Sequence, residues 1–403
     1  MPVPATPAPD IVSQTGNTMV LSMGPQHPST HGVLRVILEM DGEIVVKAQP
    51  VIGYLHTGIE KSCESKTYSQ IVTLTDRIDY LAPLSNNLGY CLAVEKILDV
   101  EVPKRAQYIR VLLAELTRCA SHLVWLGTHA IDLGAMTVFL YTFREREEIL
   151  KIFEYLSGQR MMTSFFRPGG LALEPPADWL DRVRRVINNL PGHIDEYEDL
   201  LTKNKIWLGR TVGVGLMSAA DAIALGCTGP LLRASGVAYD VRKAFPYSSY
   251  EEFDFNIQTQ NAGDCYARYQ VRVAEIRESI KIVKQAIDKI PAEGPFRAEL
   301  PGIIAPSREE MKTSIEGLIY HFKIFTEGFT PPAGEVYQAI ESPRGELGVF
   351  VKSDGSAKPA RVKFRTPSFV NLQSLPALCE GRLIADVVAC IGTTDIVLGE
   401  VDR

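Results

Sequence analysis

The chain has 403 residues, of which 46% are hydrophobic, with 42 basic against 48 acidic side chains and a net charge of −6. That length and apolar fraction suffice for a sizeable core in two or three units, and the mildly acidic balance excludes the basic signature of a nucleic-acid-binding protein. The seven cysteines, Cys63, Cys91, Cys119, Cys227, Cys265, Cys379 and Cys390, are odd in number and lack any C-x-x-C spacing, which argues for reduced, buried thiols and against a zinc or iron-sulfur site built from this chain alone.

In chain order, residues 1–16 carry four prolines and no basic start before an apolar run, which predicts a disordered tail and no secretory signal. Met19 to Met23 reads as a strand. After it comes the loop Gly24-Pro-Gln-His-Pro-Ser-Thr-His-Gly32, in which Pro25 and Pro28 forbid a helix and two imidazoles stand four residues apart. Leu34, Val36, Leu38 and Met40 then alternate with Arg35, Ile37 and Glu39, Asp41-Gly42 signals a hairpin, and Glu43 to Lys47 forms the return strand.

The middle of the chain reads as helical. Pro103 can open a helix with apolar residues at helical spacing, and a second runs from about Met136 to Tyr155. Between Arg118 and Arg144 the only carboxylate or ammonium is Asp132. Its central charge, with Gly127, Gly134, His122 and His129, predicts buried core helices and no membrane span. Pro168-Gly-Gly170 and Pro175-Pro176 break the pattern, which resumes from Trp179 to Leu201. Val273, Ile276, Ile280, Val283, Ile287 and Ile290 form the seam of a long helix in a bundle.

A helix from about Ser307 to Phe325 precedes β-prone runs at Glu335–Ile340, Leu347–Val351 and Arg361–Phe364. The expected class is α+β, a helical core with a small mixed sheet drawn from both ends of the chain. The expected divisions are a tail at 1–16, a hairpin region at 17–56, a helical core at 57–330, and a segment at 331–403 that completes sheet and core.

Several chemistries lack their motifs. Val212-Gly-Val-Gly-Leu216 lacks the third glycine of G-x-G-x-x-G, no P-loop lysine follows a glycine-rich turn, and no G-x-S-x-G elbow occurs. What remains is a set of proton-carrying groups in apolar surroundings: His31, Tyr80 and Asp132.

The loop from Gly24 to Arg35, Ile52-Gly-Tyr-Leu-His-Thr-Gly-Ile-Glu-Lys61 and Asp76-Arg-Ile-Asp-Tyr80 resemble the 49-kDa-type subunit of proton-pumping NADH:quinone oxidoreductase, respiratory complex I. Further matches are Asp132-Leu-Gly-Ala-Met-Thr137, Leu231-Leu-Arg-Ala-Ser-Gly236, Asp240-Val-Arg-Lys243, Glu341-Ser-Pro-Arg-Gly345 and Gly392 to Arg403, so the resemblance runs from about residue 17 to the end. It implies that His31 and Tyr80 bind the quinone carbonyls, and that Asp132 pairs with His31 in a proton relay coupled to proton translocation.

The resemblance also implies that electrons come from an iron-sulfur cluster in a partner subunit, toward which Arg77 and Met162 would lie, while NADH is oxidised by other subunits. This chain would bind no metal or cofactor itself. Its partners would be the iron-sulfur subunit, a C-type subunit of the complex and the membrane quinone-channel subunit, at the cytoplasmic face of a bacterial-type inner membrane.

The family in turn resembles the large subunit of nickel-iron hydrogenases. Arg77-Ile-Asp-Tyr-Leu-Ala82 and Asp395-Ile-Val-Leu-Gly-Glu400 stand where two cysteine pairs would be needed, so hydrogen chemistry is excluded on ligand grounds. Two positions depart from the family pattern. Thr57 stands where relatives often have arginine, and Met162 where many have a histidine facing the cluster, so a cluster potential insensitive to pH is expected.

Overall fold

In the computed structural model, which describes residues 10–15, 18–26 and 32–403, strands β1 (Asp10–Thr15), β2 (Thr18–Met23), β3 (Arg35–Asp41) and β4 (Ile44–Val51) form an antiparallel sheet in sequence order. Leu34, Val36, Leu38 and Met40 are buried, so the alternation read from the sequence sets which face meets the core. Asp10–Thr15 was expected within a disordered tail but pairs with β2, because Ile11 and Val12 suit a strand and the β2 edge offers unpaired backbone groups. His27 to His31 lie outside the described residues.

The helical core follows: α1 (Ile59–Cys63), α2 (Tyr68–Thr75), α3 (Pro83–Leu98), α4 (Lys104–Asp132), α5 (Met136–Ser157) and α6 (Trp179–Leu201), with a two-residue ribbon, β5 (Phe166–Arg167) and β6 (Gly170–Leu171), between α5 and α6. Short helices α7 (Lys205–Thr211), α8 (Ala219–Ala224), α9 (Pro230–Arg233) and α10 (Val241–Ala244) lead to the long α11 (Cys265–Lys289). The seam residues Val273, Ile276, Ile280, Val283 and Ile287 are buried where α11 packs on α4 and α6, each contributing about 1.5–3 kcal/mol of burial.

The expected helix over 307–325 is two helices, α12 (Arg308–Thr313) and α13 (Ile315–Thr326). Ser314 adopts an extended conformation between them and its Oγ accepts the Gly317 N–H at 3.1 Å, capping the second.

Strands β7 (Gly334–Ser342), β8 (Gly345–Ser353) and β9 (Arg361–Arg365) form a second antiparallel sheet. The α+β class therefore holds, but the two ends of the chain do not build one mixed sheet. Among the described residues the N-terminal sheet pairs strand-wise with the C-terminal part at one isolated bridge, Ile44 with Leu383, and otherwise packs on helices there, because β7 and β8 pack on α3 instead. Helices α14 (Pro367–Leu372), α15 (Leu375–Cys379), α16 (Ile384–Thr394) and α17 (Leu398–Asp402) close the chain.

Among the described residues two large hydrophobic clusters result, with a small third of Ala234, Ala267 and Val271. One gathers α2 to α6, α11 and the second sheet, and the other gathers β2 to β4 with α15 to α17. The C-terminal end of α4 packs on α16 between them. No helix among the described residues is long and apolar enough to cross a membrane.

Candidate active site

Tyr80 sits on the turn joining α2 to α3, half-buried, and its hydroxyl makes no hydrogen bond to a described residue. Burial, and then the neighbouring Asp79 charge, push its phenol above the ordinary tyrosine range, so it is a proton donor at neutral pH. The ring lies against α17: a Cβ at Gly399 would come within 3.4 Å of Tyr80 Cε1 and 2.9 Å of the Ile78 carbonyl oxygen, so only glycine allows this approach.

Beneath Tyr80 is a sealed charge cluster. Asp79 Oδ1 accepts the N–H groups of Leu81 at 3.0 Å and Ala82 at 3.3 Å, which holds the turn, while Oδ2 accepts Arg344 Nη1 at 2.5 Å. Arg344 also donates to Ser121 Oγ at 3.1 Å and to Asp395 Oδ1 at 3.5 Å. Asp395 in turn lies 3.9 Å from Arg272, whose guanidinium stacks over the Trp125 ring at 4.3 Å. Glu400 is also fully buried; its Oε2 accepts the Ser368 N–H at 3.2 Å and the Ser368 hydroxyl.

Asp132 is the last residue of α4. Gly134, at φ 93°, ends the helix there, and the Ala135 N–H bonds back to the Ala130 carbonyl at 2.8 Å. Its half-buried carboxyl is pushed up to about 6 by burial. One turn earlier, the buried His129 ring stacks on Trp125 at 5.4 Å and meets Trp207 edge-on. Both groups crowd α16: a Cβ at Gly392 would fall 2.5 Å from His129 Nδ1 and 3.5 Å from Asp132 Oδ2, and Trp125 Nε1 donates to the Gly392 carbonyl at 2.8 Å. Tyr80 and Asp132 are thus brought against one segment, Gly392 to Gly399.

Arg77 is exposed, with its guanidinium on the Thr73 carbonyl. The adjacent buried Asp76 accepts the Ser164 N–H at 3.1 Å and the Ser164 hydroxyl at 2.5 Å, tying the Tyr80 turn to the segment that carries the half-buried Met162. Ser164 holds a left-handed φ of 43°, a strained conformation for serine that these two bonds sustain. Thr57 is exposed. Its loop is clamped to the C-terminus, with Gly53 N–H and Leu55 N–H donating to the Asp402 carboxylate at 2.9 and 2.7 Å. His31 lies outside the described residues, so its relation to Tyr80 and Asp132 stays an expectation.

Two of the motif arginines, Arg233 and Arg242, are held in buried ion pairs. Arg233 pairs with Glu275 and Glu341 at 2.7 Å each, and Arg242 pairs with Asp240 and Glu115, all sealed from solvent. Asp79, Arg344, Asp395 and Glu400 stand within the motif stretches, yet the sequence alone assigns them no role and marks His129 only as an interruption of an apolar run. The available signal was a set of charged residues embedded in otherwise apolar stretches. Among the described residues no three His, Cys, Asp or Glu side chains converge as a metal site would require.

Residues 132–403 match the family model described as respiratory-chain NADH dehydrogenase, 49 Kd subunit. The chain is 64% identical to a D-type NADH-quinone oxidoreductase subunit of Solibacter usitatus (strain Ellin6076), over 98% of this chain and 96% of that one. It is 62% identical to a D-type subunit of the same enzyme from Koribacter versatilis (strain Ellin345), over 98% and 99%, and 60% identical to one from Chloroflexus aurantiacus (strain ATCC 29366 / DSM 635 / J-10-fl), over 100% and 98%.

Proposed function

The chain belongs to the 49-kDa subunit family of respiratory-chain NADH dehydrogenase and is a subunit of NADH:quinone oxidoreductase, and on that premise we propose that it houses quinone reduction, with Tyr80 donating a hydrogen bond to a headgroup carbonyl. The observation that carries this reading is the Tyr80 hydroxyl, free of described partners and held on a turn that the Asp79–Arg344 pair makes rigid. A quinone takes up two electrons and two protons to become a quinol. The electrons come from an iron-sulfur cluster in a partner subunit, on the side of Arg77 and Met162, after other subunits oxidise NADH.

The two protons reach the quinone oxygens from Tyr80 and from His31, with Asp132 stabilising the protonated imidazole. Met162 cannot titrate, so no proton uptake at that position accompanies cluster reduction. The chain works as a peripheral subunit on the cytoplasmic side of the inner membrane. There it packs against the iron-sulfur subunit, a C-type subunit and the membrane quinone-channel subunit, and quinone reduction is coupled to proton translocation.

The test is Tyr80→Phe in the assembled complex, which removes one hydrogen bond and keeps the ring. NADH:quinone activity should fall by at least roughly two- to tenfold, as a bond of about 0.5–1.5 kcal/mol implies, and further because the phenol proton is lost with it. Electron transfer from NADH to ferricyanide should stay at the wild-type rate. Unchanged quinone reduction across substrates of different tail length would rule the assignment out.

A further inference from the structure

Three buried carboxyls, Asp79, Asp395 and Glu400, share the cluster behind Tyr80 with two guanidiniums, Arg344 and Arg272. Charge neutrality in a sealed site leaves one carboxyl without a counter-ion, and the cation contacts identify which. Asp79 has Arg344 and two backbone N–H donors, and Asp395 lies within ion-pair reach of both arginines. Glu400 contacts no cation. Its Oε2 takes both Ser368 donors while its Oε1, sealed from solvent, has no partner among the described residues. Of the three buried carboxyls it alone has no cation within ion-pair distance, which favours its neutral form.

We propose that Glu400 is a positioning residue for quinone reduction, held as the neutral acid so that Arg344 keeps enough positive field for Tyr80 to release its proton. The proposal rests on the reading of Tyr80 as a quinone ligand. The groups around Glu400 fix the sign. Arg344 feels Asp395, Asp79, Glu400 and Tyr80 together, whereas Asp402 and Arg403 on the same terminal segment turn away to Gly53, Leu55 and the Phe364 carbonyl. Burial, and then the Asp79 charge, push the Glu400 carboxyl up to about 8. Above that pH the ionised carboxyl adds a negative charge to a cluster that already contains Asp79, holds the Tyr80 proton more tightly and slows its transfer to the reduced quinone. Glu400 transfers no proton to substrate itself.

The experiment is the pH profile of NADH:quinone activity in the assembled complex from pH 6.5 to 9.5, normalised at each pH to the NADH:ferricyanide rate. Wild type should show an alkaline decline centred near pH 8. Glu400→Gln, a permanently neutral side chain of the same shape, should lose that decline, so that its ratio of rates at pH 9 and pH 7 rises several-fold above the wild-type ratio. Ser368→Ala, which removes a bond that favours the ionised carboxylate, should shift the decline up by about half to one pH unit.

A wild-type alkaline limb retained in Glu400→Gln overturns the proposal. Should Glu400→Gln fail to assemble, the Ser368→Ala profile and the infrared C=O band of a protonated carboxyl, present at pH 7 and lost by pH 9.5, decide in its place. An absent band or an unshifted Ser368→Ala limb then overturns it. Tyr80→Phe, assayed in parallel, separates the two claims. A defective Tyr80→Phe beside an unaltered Glu400→Gln limb sinks Glu400 alone, whereas wild-type quinone reduction in Tyr80→Phe sinks the quinone reading.

Discussion

Asp79 and Arg344, 265 positions apart in sequence, form an ion pair at 2.5 Å with side chains 1% and 0% exposed. This pair joins the turn that carries Tyr80 to the turn between β7 and β8, and Ser121 on α4 completes the three-way junction. The Tyr80 ring is therefore held by contacts made across the whole length of the chain.

Truncating Arg344 to Ala leaves Asp79 buried without its counter-ion, a loss of about 3–5 kcal/mol for a pair of this kind. The amount of assembled complex and its thermal inactivation temperature should both fall sharply. Arg344→Lys keeps the charge but cannot reach Asp79, Ser121 and Asp395 together, so its temperature should lie between the two. An Arg344→Ala complex as heat-resistant as wild type would contradict the junction.

Asp132→Asn removes a charge and keeps the size. The Asp132 carboxyl, pushed up to about 6 by burial, is neutral at pH 5 and ionised at pH 7.5. The variant should accordingly be slow in quinone reduction above pH 7, where on the proposed pairing the wild-type charge favours protonated His31. The variant-to-wild-type ratio should approach one below pH 6, where wild type is neutral too. A ratio that does not change with pH would return Asp132 to a purely structural role at the end of α4.

How far these features were legible in the sequence depended on the range of the interaction that made them. The alternation over Leu34 to Met40, the seam from Val273 to Ile287 and the helix from Trp179 to Leu201 come from local periodicity, and each appears where the pattern put it. The partition of the strands into two sheets was not legible, because it is decided by α3 packing on β7 and β8, a contact with no local signature. The same holds within the site. Tyr80 and Asp132 stood out as polar groups in apolar stretches, but the cluster of Asp79, Arg344, Asp395, Arg272 and Glu400 is assembled from four distant segments. Only the folded chain brings them together. The split at Ser314 was missed for a different reason: one capping serine inside an otherwise helical pattern outweighed the continuation of that pattern.

Gly392 offers a separate test of the packing around Asp132. An added methyl would fall 2.5 Å from His129 Nδ1, so Gly392→Ala must displace the imidazole or α16, an overpacking that typically costs about 1–3 kcal/mol. Quinone reduction should drop more than NADH:ferricyanide transfer, because His129 and Asp132 move together. Gly209→Ala on α7, where nothing lies within 4 Å, should be neutral or slightly stabilising. Equal behaviour of the two variants would show that the contact of α4 with α16 does not shape the site.

The most direct test of the central claim is a structure of the assembled complex with a quinone bound, read for the distance between the Tyr80 hydroxyl and the headgroup. The account predicts a carbonyl oxygen within hydrogen-bond reach of that hydroxyl, about 2.5–3.0 Å, with Asp79 and Arg344 still paired beneath it. A headgroup lodged elsewhere, with the Tyr80 hydroxyl bonded neither to it nor to a water that bridges them, would contradict it.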